Sequence, residues 1–331
     1  MLLESEAVTI KYIKTHSSIP VSEIFAYRQV GRHTIGLALI ELTAKSHSAE
    51  NEVGIPYIVM SKAPGYPLQL SWACMSSEDK AKVLRQLGSA TWQLCQLKFD
   101  QIGSLFDSGH GPVINRCLTR GLLVHGRHTL DHLRGPYASA TDFYRALITA
   151  FQEHASVLPL NPRCFFAPVP LPEEYENNSQ FQRARDRWHD FVTLGSKMDG
   201  SDNRTDYTMV GELLAETRSK WTKYTYFEED ACRYSLHHPD ISVNNIFIDE
   251  EYNITCLIDW AFCSSVPLSM AVTARGLPQS RNELSEQLWN EFRRGFKEAA
   301  YMVSQQVDLE ESALCAESYD IAARCGCLCV S

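Results

Sequence analysis

The stretch from Leu236 to Trp260 reads LHHPDISVNNIFIDEEYNITCLIDW. It contains two β-favouring runs, Ile246–Ile248 and Ile254–Ile258, joined by the polar turn Asp249-Glu250-Glu251-Tyr252-Asn253, and the two are expected to pair as an antiparallel hairpin. A hairpin brings its open ends together, which sets Asn245, just before the first arm, beside Asp259, just after the second. An amide oxygen next to a carboxylate suits Mg²⁺, which takes a few hard oxygen ligands and completes its shell with phosphates and water. Asp240 lies five residues before Asn245 on the same loop. It is expected to face the same site and accept the proton of an attacking hydroxyl. His238 joins it on the catalytic loop, with loop fixing as its expected part. A chance spacing around a merely structural Asp is the competing reading, and the concurrence of spacing, hairpin and Ile258-Asp259-Trp260 in one register weighs against it.

The bulk composition has ordinary globular values, and a soluble protein is expected. The chain has 331 residues, 44% hydrophobic and 21% charged, enough for a full core and for two lobes. A formal charge of −9 leaves no basic excess to displace counterions from a nucleic-acid backbone, so a nucleic-acid partner is not expected. No apolar run approaches the ~20 residues of a membrane span, so no membrane partner is expected either. Eleven cysteines are scattered without a framework and no signal peptide opens the sequence, so free thiols and a cytoplasmic location are expected. The sequons at Asn177, Asn203 and Asn253 are then coincidental.

Upstream of the decisive stretch, residues 3–14 place Ala7, Ile10 and Ile13 at helical spacing, and the helix should stop before Ser17-Ser18-Ile19-Pro20. Ile19–Tyr27 reads as a short strand, and Ile55–Met60 as a buried strand ending at the turn-prone Ala63-Pro64-Gly65. Ser76 with Asp79 forms an expected cap for a helix through Leu84, Leu87, Thr91, Leu94 and Leu97. A second long helix is expected over Thr205–Tyr224 with Tyr207, Val210, Leu214, Thr217 and Trp221 inward, and a third over Glu283–Met302 through Leu284, Leu288, Phe292 and Phe296. Leu158–Pro172 is expected to be a loop. No internal repeat is visible.

The spacing His238-x-Asp240-x-x-x-x-Asn245, followed by Ile258-Asp259, matches that of a kinase catalytic loop. LHHPDISVNNIFID followed by LIDW resembles the Brenner-type motif of aminoglycoside phosphotransferase and choline kinase-like proteins, particularly their large fungal group. Residues 56–68, PYIVMSKAPGYPL, resemble that family's strand, hinge and P-G-x-P-L signature, and Phe99–Leu105 resembles its F-x-x-I-G-S-L element. The resemblance spans residues 1 to about 270. It implies an α+β, protein-kinase-like, two-lobed fold, with an incomplete small N-lobe over 1–68 and a mostly helical C-lobe over 69–331. It further implies an ATP-dependent phosphotransferase in which Asp240 is the base, Asn245 and Asp259 bind Mg²⁺, and Ser61 and Ala63 meet adenine with Met60 behind them. Protein kinases usually carry Lys two places after the catalytic Asp. Ser242 stands here, which favours a small hydroxylated acceptor.

That family also carries a glycine-rich hairpin over the phosphates and a Lys on the third strand paired to a helical Glu. Glu6 resembles the helical Glu, with Glu4 as a second candidate. The Lys and the glycine-rich hairpin have no counterpart in this sequence, and Lys11 and Lys14 read as surface charges on the first helix. Two readings stay open: an active kinase whose N-lobe is truncated here, or a pseudokinase-like module that binds a nucleotide or other ligand without turnover. Residues 28–52 form a longer connection than the family uses. The tail Arg324–Cys329 is unassigned, and a frayed terminus is expected there. His125, His128 and His132 fall at helical spacing, with a polar surface preferred to a zinc site. The sequence leaves the acceptor and the oligomeric state open.

Overall fold

Helix α1 (Leu2–His16) forms where Ala7, Ile10 and Ile13 recur, and it buries Ser5, Val8 and Thr9 as well. It ends as expected at Ser17, whose extended backbone and hydroxyl both turn back onto the Ile13 carbonyl. Lys14 pairs with Glu23, and the Lys11 ammonium lies 5.2 Å from the Tyr27 ring centroid, so both lysines are used at the surface. In this computed structural model the chain is a mixed α+β protein with small antiparallel sheets, and residues 1–28, 55–158, 170–175, 177–195, 201–221, 234–272 and 286–304 are described. It divides into two compact units, Met1–Leu118 with Arg233–Ser331, and Thr119–Cys232. The expected boundary at residue 68 falls within the first.

In the first unit β1 (Ile24–Arg28) pairs antiparallel with β2 (Tyr57–Met60). Both strands were expected, but β2 is not buried: Val59 is 47% and Met60 37% exposed. Among the described residues this sheet has two strands, so an apolar strand composition does not by itself bring a cover. The chain then runs through β3 (Tyr66–Pro67), the short α2 (Gln69–Trp72) and α3 (Ser77–Gln96). Ser76 caps α3 by accepting the Asp79 N–H at 3.1 Å, and Leu84, Leu87, Thr91 and Leu94 are buried as expected.

Four short strands follow, β4 (Lys98–Phe99), β5 (Ser104–Asp107), β6 (Pro112–Asn115) and β7 (Tyr234–His237). The expected hairpin is present as β8 (Ile246–Ile248) and β9 (Ile254–Leu257), with Ile246 opposite Leu257. The Asp249 carboxylate closes its turn by accepting the N–H groups of Glu251 and Asn253, which lets Tyr252 take φ 60°. β3 joins as a third strand on β8. β10 (Ser264–Val266) and β4 flank β7 in a second three-stranded sheet, and β5 pairs with β6. The two- to four-residue strands β4–β7 and β10 are too short to carry a readable alternation, so the sequence showed the β8–β9 hairpin but not the β5–β6 hairpin or the long-range pairings of β7.

After α8 (Leu268–Ala271), the amphipathic α9 (Glu286–Ser304) lies along α3. Phe292 and Phe296 are fully buried, and Phe296 meets Trp92 edge-on at 5.2 Å between centroids. Contact is backbone to backbone: a methyl group at Gly88 would collide with the Phe292 carbonyl, and one at Gly295 with the Arg85 carbonyl. Leu284 and the 324–329 tail lie outside the described residues, as does 28–52 beyond Arg28.

The second unit contains α4 (Arg120–Leu123), a 3-10 turn at Arg127–Thr129, α5 (Ala140–Val157), α6 (Asn178–Gly195) and α7 (Ser201–Trp221). Most of the expected 158–172 loop lies outside the described residues, and Pro172 opens a 3-10 turn. The inward face expected for α7 is corrected. Val210 is 46% and Leu214 37% exposed, whereas Gly211 is buried against Gln152 and Tyr207 packs on Phe151. The Gly211 backbone lets α5 approach closely, and that rotates the apolar pair off the contact. The side chain of Trp221 lies outside the described residues. His125, His128 and His132 do not share a helix face either, because α4 ends at Leu123 and His125 and Gly126 take φ of 58° and 82°.

His154, on α5 and 3% exposed, lies edge-on to His125 at 6.5 Å. Arg204 donates to the carbonyls of Ala155 and Leu158, and Arg127 to that of Gly121. Burial, then the Arg127 charge, holds His154 down to about 4, and burial also lowers His125 and His132. His132 is 3.6 Å from the Glu153 carboxylate, which only partly opposes the burial and the Arg134 charge.

Gly88→Ala or Gly295→Ala should cost about 3 kcal/mol by forcing α3 and α9 apart, seen as a melting temperature lowered by about 5–10 °C. The second unit should weaken in acid. Unfolded histidines take up protons near 6.5 while the folded ones resist, so stability is full above that pH and falls as pH drops towards 4, by up to about 3 kcal/mol for His154. Amide exchange in α5, corrected for intrinsic rate, should therefore quicken between pH 7 and pH 5, and the change should flatten in His154→Gln.

Candidate functional site

Strand β7 delivers the chain into the 238–245 loop, which is tied down from several directions. The Gln69 N–H donates to the Val243 carbonyl at 3.0 Å and the Leu68 N–H to that of Ile246 at 2.8 Å. The approach that permits this needs glycine at 65: its φ is 80°, and any Cβ would strike the Ile248 carbonyl. On the other arm the Leu257 N–H donates to Pro20 at 2.8 Å, fixing the hairpin to the segment after α1.

His238 bridges the two loops of the site. Its Nδ1 accepts the Asp240 N–H at 3.1 Å and its Nε2 donates to the Ile258 carbonyl at 3.0 Å, an arrangement that sets the tautomer. The ring is 3% exposed and meets Trp260 at 4.5 Å. Burial lowers its pKa, while the Ile258 hydrogen bond and the charges of Asp259 and Asp240 pull the other way. With both nitrogens engaged by backbone, His238 holds the loops. It has no nitrogen to offer a substrate.

Asn245 closes the loop from within. Its Nδ2 donates to the Asp240 carbonyl at 2.9 Å and its own carbonyl accepts the Ile258 N–H at 3.0 Å, which sets it beside the residue preceding Asp259. The Asn245 Oδ1 has no hydrogen-bond partner among the described residues. Asp259 is exposed and sits at φ 62°, a left-handed conformation that Asp tolerates better than most residues and that recurs at functional sites. The Asp240 side chain is half-buried.

Glu6 comes from α1 to this loop. Burial first, and the negative charge of Asp259 second, raise its carboxyl to about 7. Glu6 in turn adds to the burial that raises the Cys263 thiol. Among the described residues no cation is paired with either carboxylate. Glu6 and Asp259 are thus brought together, as are Asp240, His238 and Asn245.

The proposed adenine contacts sit at the end of β2. The Ser61 N–H donates to the Glu23 carbonyl at 2.8 Å, and its hydroxyl accepts the Glu23 N–H at 2.9 Å. The Ser61 carbonyl and the Ala63 N–H have no partner among the described residues, so both are open to a ligand edge. Met60 is partly exposed.

Mg²⁺ fits this donor set in one respect and is limited in another. Asn245 Oδ1 and the Asp259 carboxylate are hard oxygens without hydrogen-bond partners among the described residues. No group of three His, Cys, Asp or Glu residues among the described ones could hold a metal unaided, so phosphate or water oxygens would have to complete the shell. Residues that sequence reasoning missed are Ser104, Ser264 and Ser265, whose buried hydroxyls form a seam behind the Asp259 loop. Their only sequence signal was the Gly103-Ser104 pair inside the F-x-x-I-G-S-L element.

No protein-family model matches this chain, and no solved structure matches it. Subtelomeric hrmA-associated cluster proteins of two Aspergillus fumigatus strains are each 24% identical to it over 102 residues, 31% of this chain. The match spans 16% of the length of those relatives. No helix among the described residues is long and apolar enough to cross a membrane.

His238→Ala would leave the Asp240 N–H and the Ile258 carbonyl without their partner in a buried setting, at an expected loss of about 2–4 kcal/mol in denaturant unfolding. A loss below about 0.5 kcal/mol would show that the bridge does not hold the loops.

Proposed function

We propose that this chain is an ATP-dependent phosphotransferase of the aminoglycoside phosphotransferase and choline kinase type, with a protein-kinase-like two-lobed fold, that phosphorylates a hydroxyl of a small molecule. The observation that carries the reading is the bonded circuit Asp240–His238–Ile258–Asn245, which holds a prospective base and two hard-oxygen donors at the open end of one hairpin. Asp240 would accept the proton of the attacking hydroxyl. Asn245 and Asp259 would hold Mg²⁺, which with the nucleotide supplies charge neutralisation for the transferred phosphoryl group. The Ser61 carbonyl and the Ala63 N–H would pair with the adenine edge. Ser242 is buried and accepts the Asn245 N–H through its carbonyl, so it shapes the loop and offers no cation to an acceptor peptide. That favours a small acceptor. A cytoplasmic setting accords with Cys74, Cys95, Cys117, Cys256 and Cys263 standing outside any disulfide.

One observation favours a second reading, a pseudokinase-like binding module. The charge of Asp259 acts on Glu6 with no lysine paired to either among the described residues, and phosphoryl transfer depends on such charge neutralisation.

ATP with Mg²⁺ should raise the melting temperature in proportion to the logarithm of ligand concentration, and Asn245→Ala or Asp259→Ala should remove the Mg²⁺-dependent part. In a screen of small hydroxyl acceptors, Asp240→Ala should lower turnover by about 10²–10⁴-fold. Turnover that survives this change eliminates Asp240 as the base. ATP binding without turnover selects the second reading, and no Mg²⁺-dependent shift at all removes both.

A further inference from the structure

The loop 258–263 that carries Asp259 is short and conformationally costly. Asp259 and Phe262 both take left-handed φ, 62° and 63°, and neither is glycine. Such a loop keeps its shape only where its ends are held. One end is the Ile258 carbonyl, bonded to His238. The other is the Cys263 carbonyl, and its partner comes from far away in sequence, the hydroxyl of Ser104 at 2.8 Å.

Ser104 is fully buried, and its hydroxyl is used to capacity. It donates to Cys263, accepts the Leu118 N–H at 3.0 Å, and its second lone pair is met by the Ser264 hydroxyl at 2.8 Å. With one donor and two acceptors all assigned, the Ser104 oxygen has no rotational freedom left. Its neighbour Gly103 permits the geometry, because a Cβ there would collide with the Asn115 carbonyl. Ser265 is an internal comparison. It is equally buried and equally bonded, to the carbonyls of Gln101 and Gly103 and to the Gly103 N–H, but its hydroxyl does not touch the 258–263 loop.

We propose that Ser104 is a positioning residue for Asp259, fixing the far end of its loop through the Cys263 carbonyl so that the carboxylate is presented in one place to a divalent cation. This rests on the phosphotransferase or nucleotide-binding reading above for the cation, while the pinning of the loop is a property of the chain alone. Groups that orient a metal ligand without touching the metal typically control affinity by about 10–100-fold.

The test compares Ser104→Ala with Ser265→Ala, which should lose similar global stability. Ser104→Ala should speed amide exchange of residues 259–263 in the ligand-free protein and weaken Mn²⁺ binding, measured by electron paramagnetic resonance with ADP present, by about 10-fold. Ser265→Ala should leave both near wild type. Should Ser104→Ala fail to fold, Ser104→Cys keeps a weaker donor of similar size and should show smaller changes in the same direction. Loop exchange and Mn²⁺ affinity that move no more in the Ser104 variants than in Ser265→Ala overturn the proposal. A wild-type protein that binds no Mn²⁺ with ADP, yet shows faster loop exchange in Ser104→Ala, removes the cation reading and with it the positioning role.

Discussion

The site depends on one buried imidazole that stays neutral. His238 lies between two carboxylates whose charges would favour its protonation, yet burial outweighs them and the ring keeps one nitrogen as acceptor and one as donor. A protonated ring would have no lone pair for the Asp240 N–H, and the loop bearing Asp240 would lose its tie to the loop bearing Asp259. Trp260, itself buried and bonded to the Leu257 carbonyl at 2.9 Å, walls the ring off from water. The same apolar packing that disfavours charge on His238 therefore preserves the hydrogen-bond pattern on which the neighbouring acidic groups are mounted.

Around this bridge Glu6 and Asp259 bring acidic groups together, and among the described residues no ion pair neutralises either. Burial, and after it the negative charge of Asp259, raises the Glu6 carboxyl to about 7. The nearby lysines of α1 are used elsewhere, on Glu23 and on the face of Tyr27. An arrangement of this kind is unfavourable for an isolated chain and favourable for one that takes up a cation, which is the physical content shared by the catalytic and the binding-only readings. The frame that keeps the carboxylates together is rigid for a simple reason: Gly65, Gly88, Gly103 and Gly295 allow backbone to lie directly on backbone, where a side chain would have held the elements apart. The second unit is built differently. Arg127 and Arg204 donate to the carbonyls of Gly121, Ala155 and Leu158, and burial together with the Arg127 charge keeps the nearby His154 neutral.

What could be read from the sequence was what neighbours in the chain decide. The hairpin at 246–257, the Ser76 cap, the buried stripe of α3 and the break after α1 all follow from residues within a few positions of one another, where hydrogen-bond periodicity and turn chemistry act. The spacing of Asp240, Asn245 and Asp259 belongs with them, because a hairpin of known length fixes where its ends meet. Tertiary structure alone decided that β2 would be partly exposed, that α7 would turn Gly211 inward and leave Val210 and Leu214 outside, and that His238 would be engaged on both sides. It alone set Glu6 against Asp259 and carried Ser104 to a carbonyl 159 positions away. Burial and charge coupling depend on which distant segments meet, and no local pattern records that meeting.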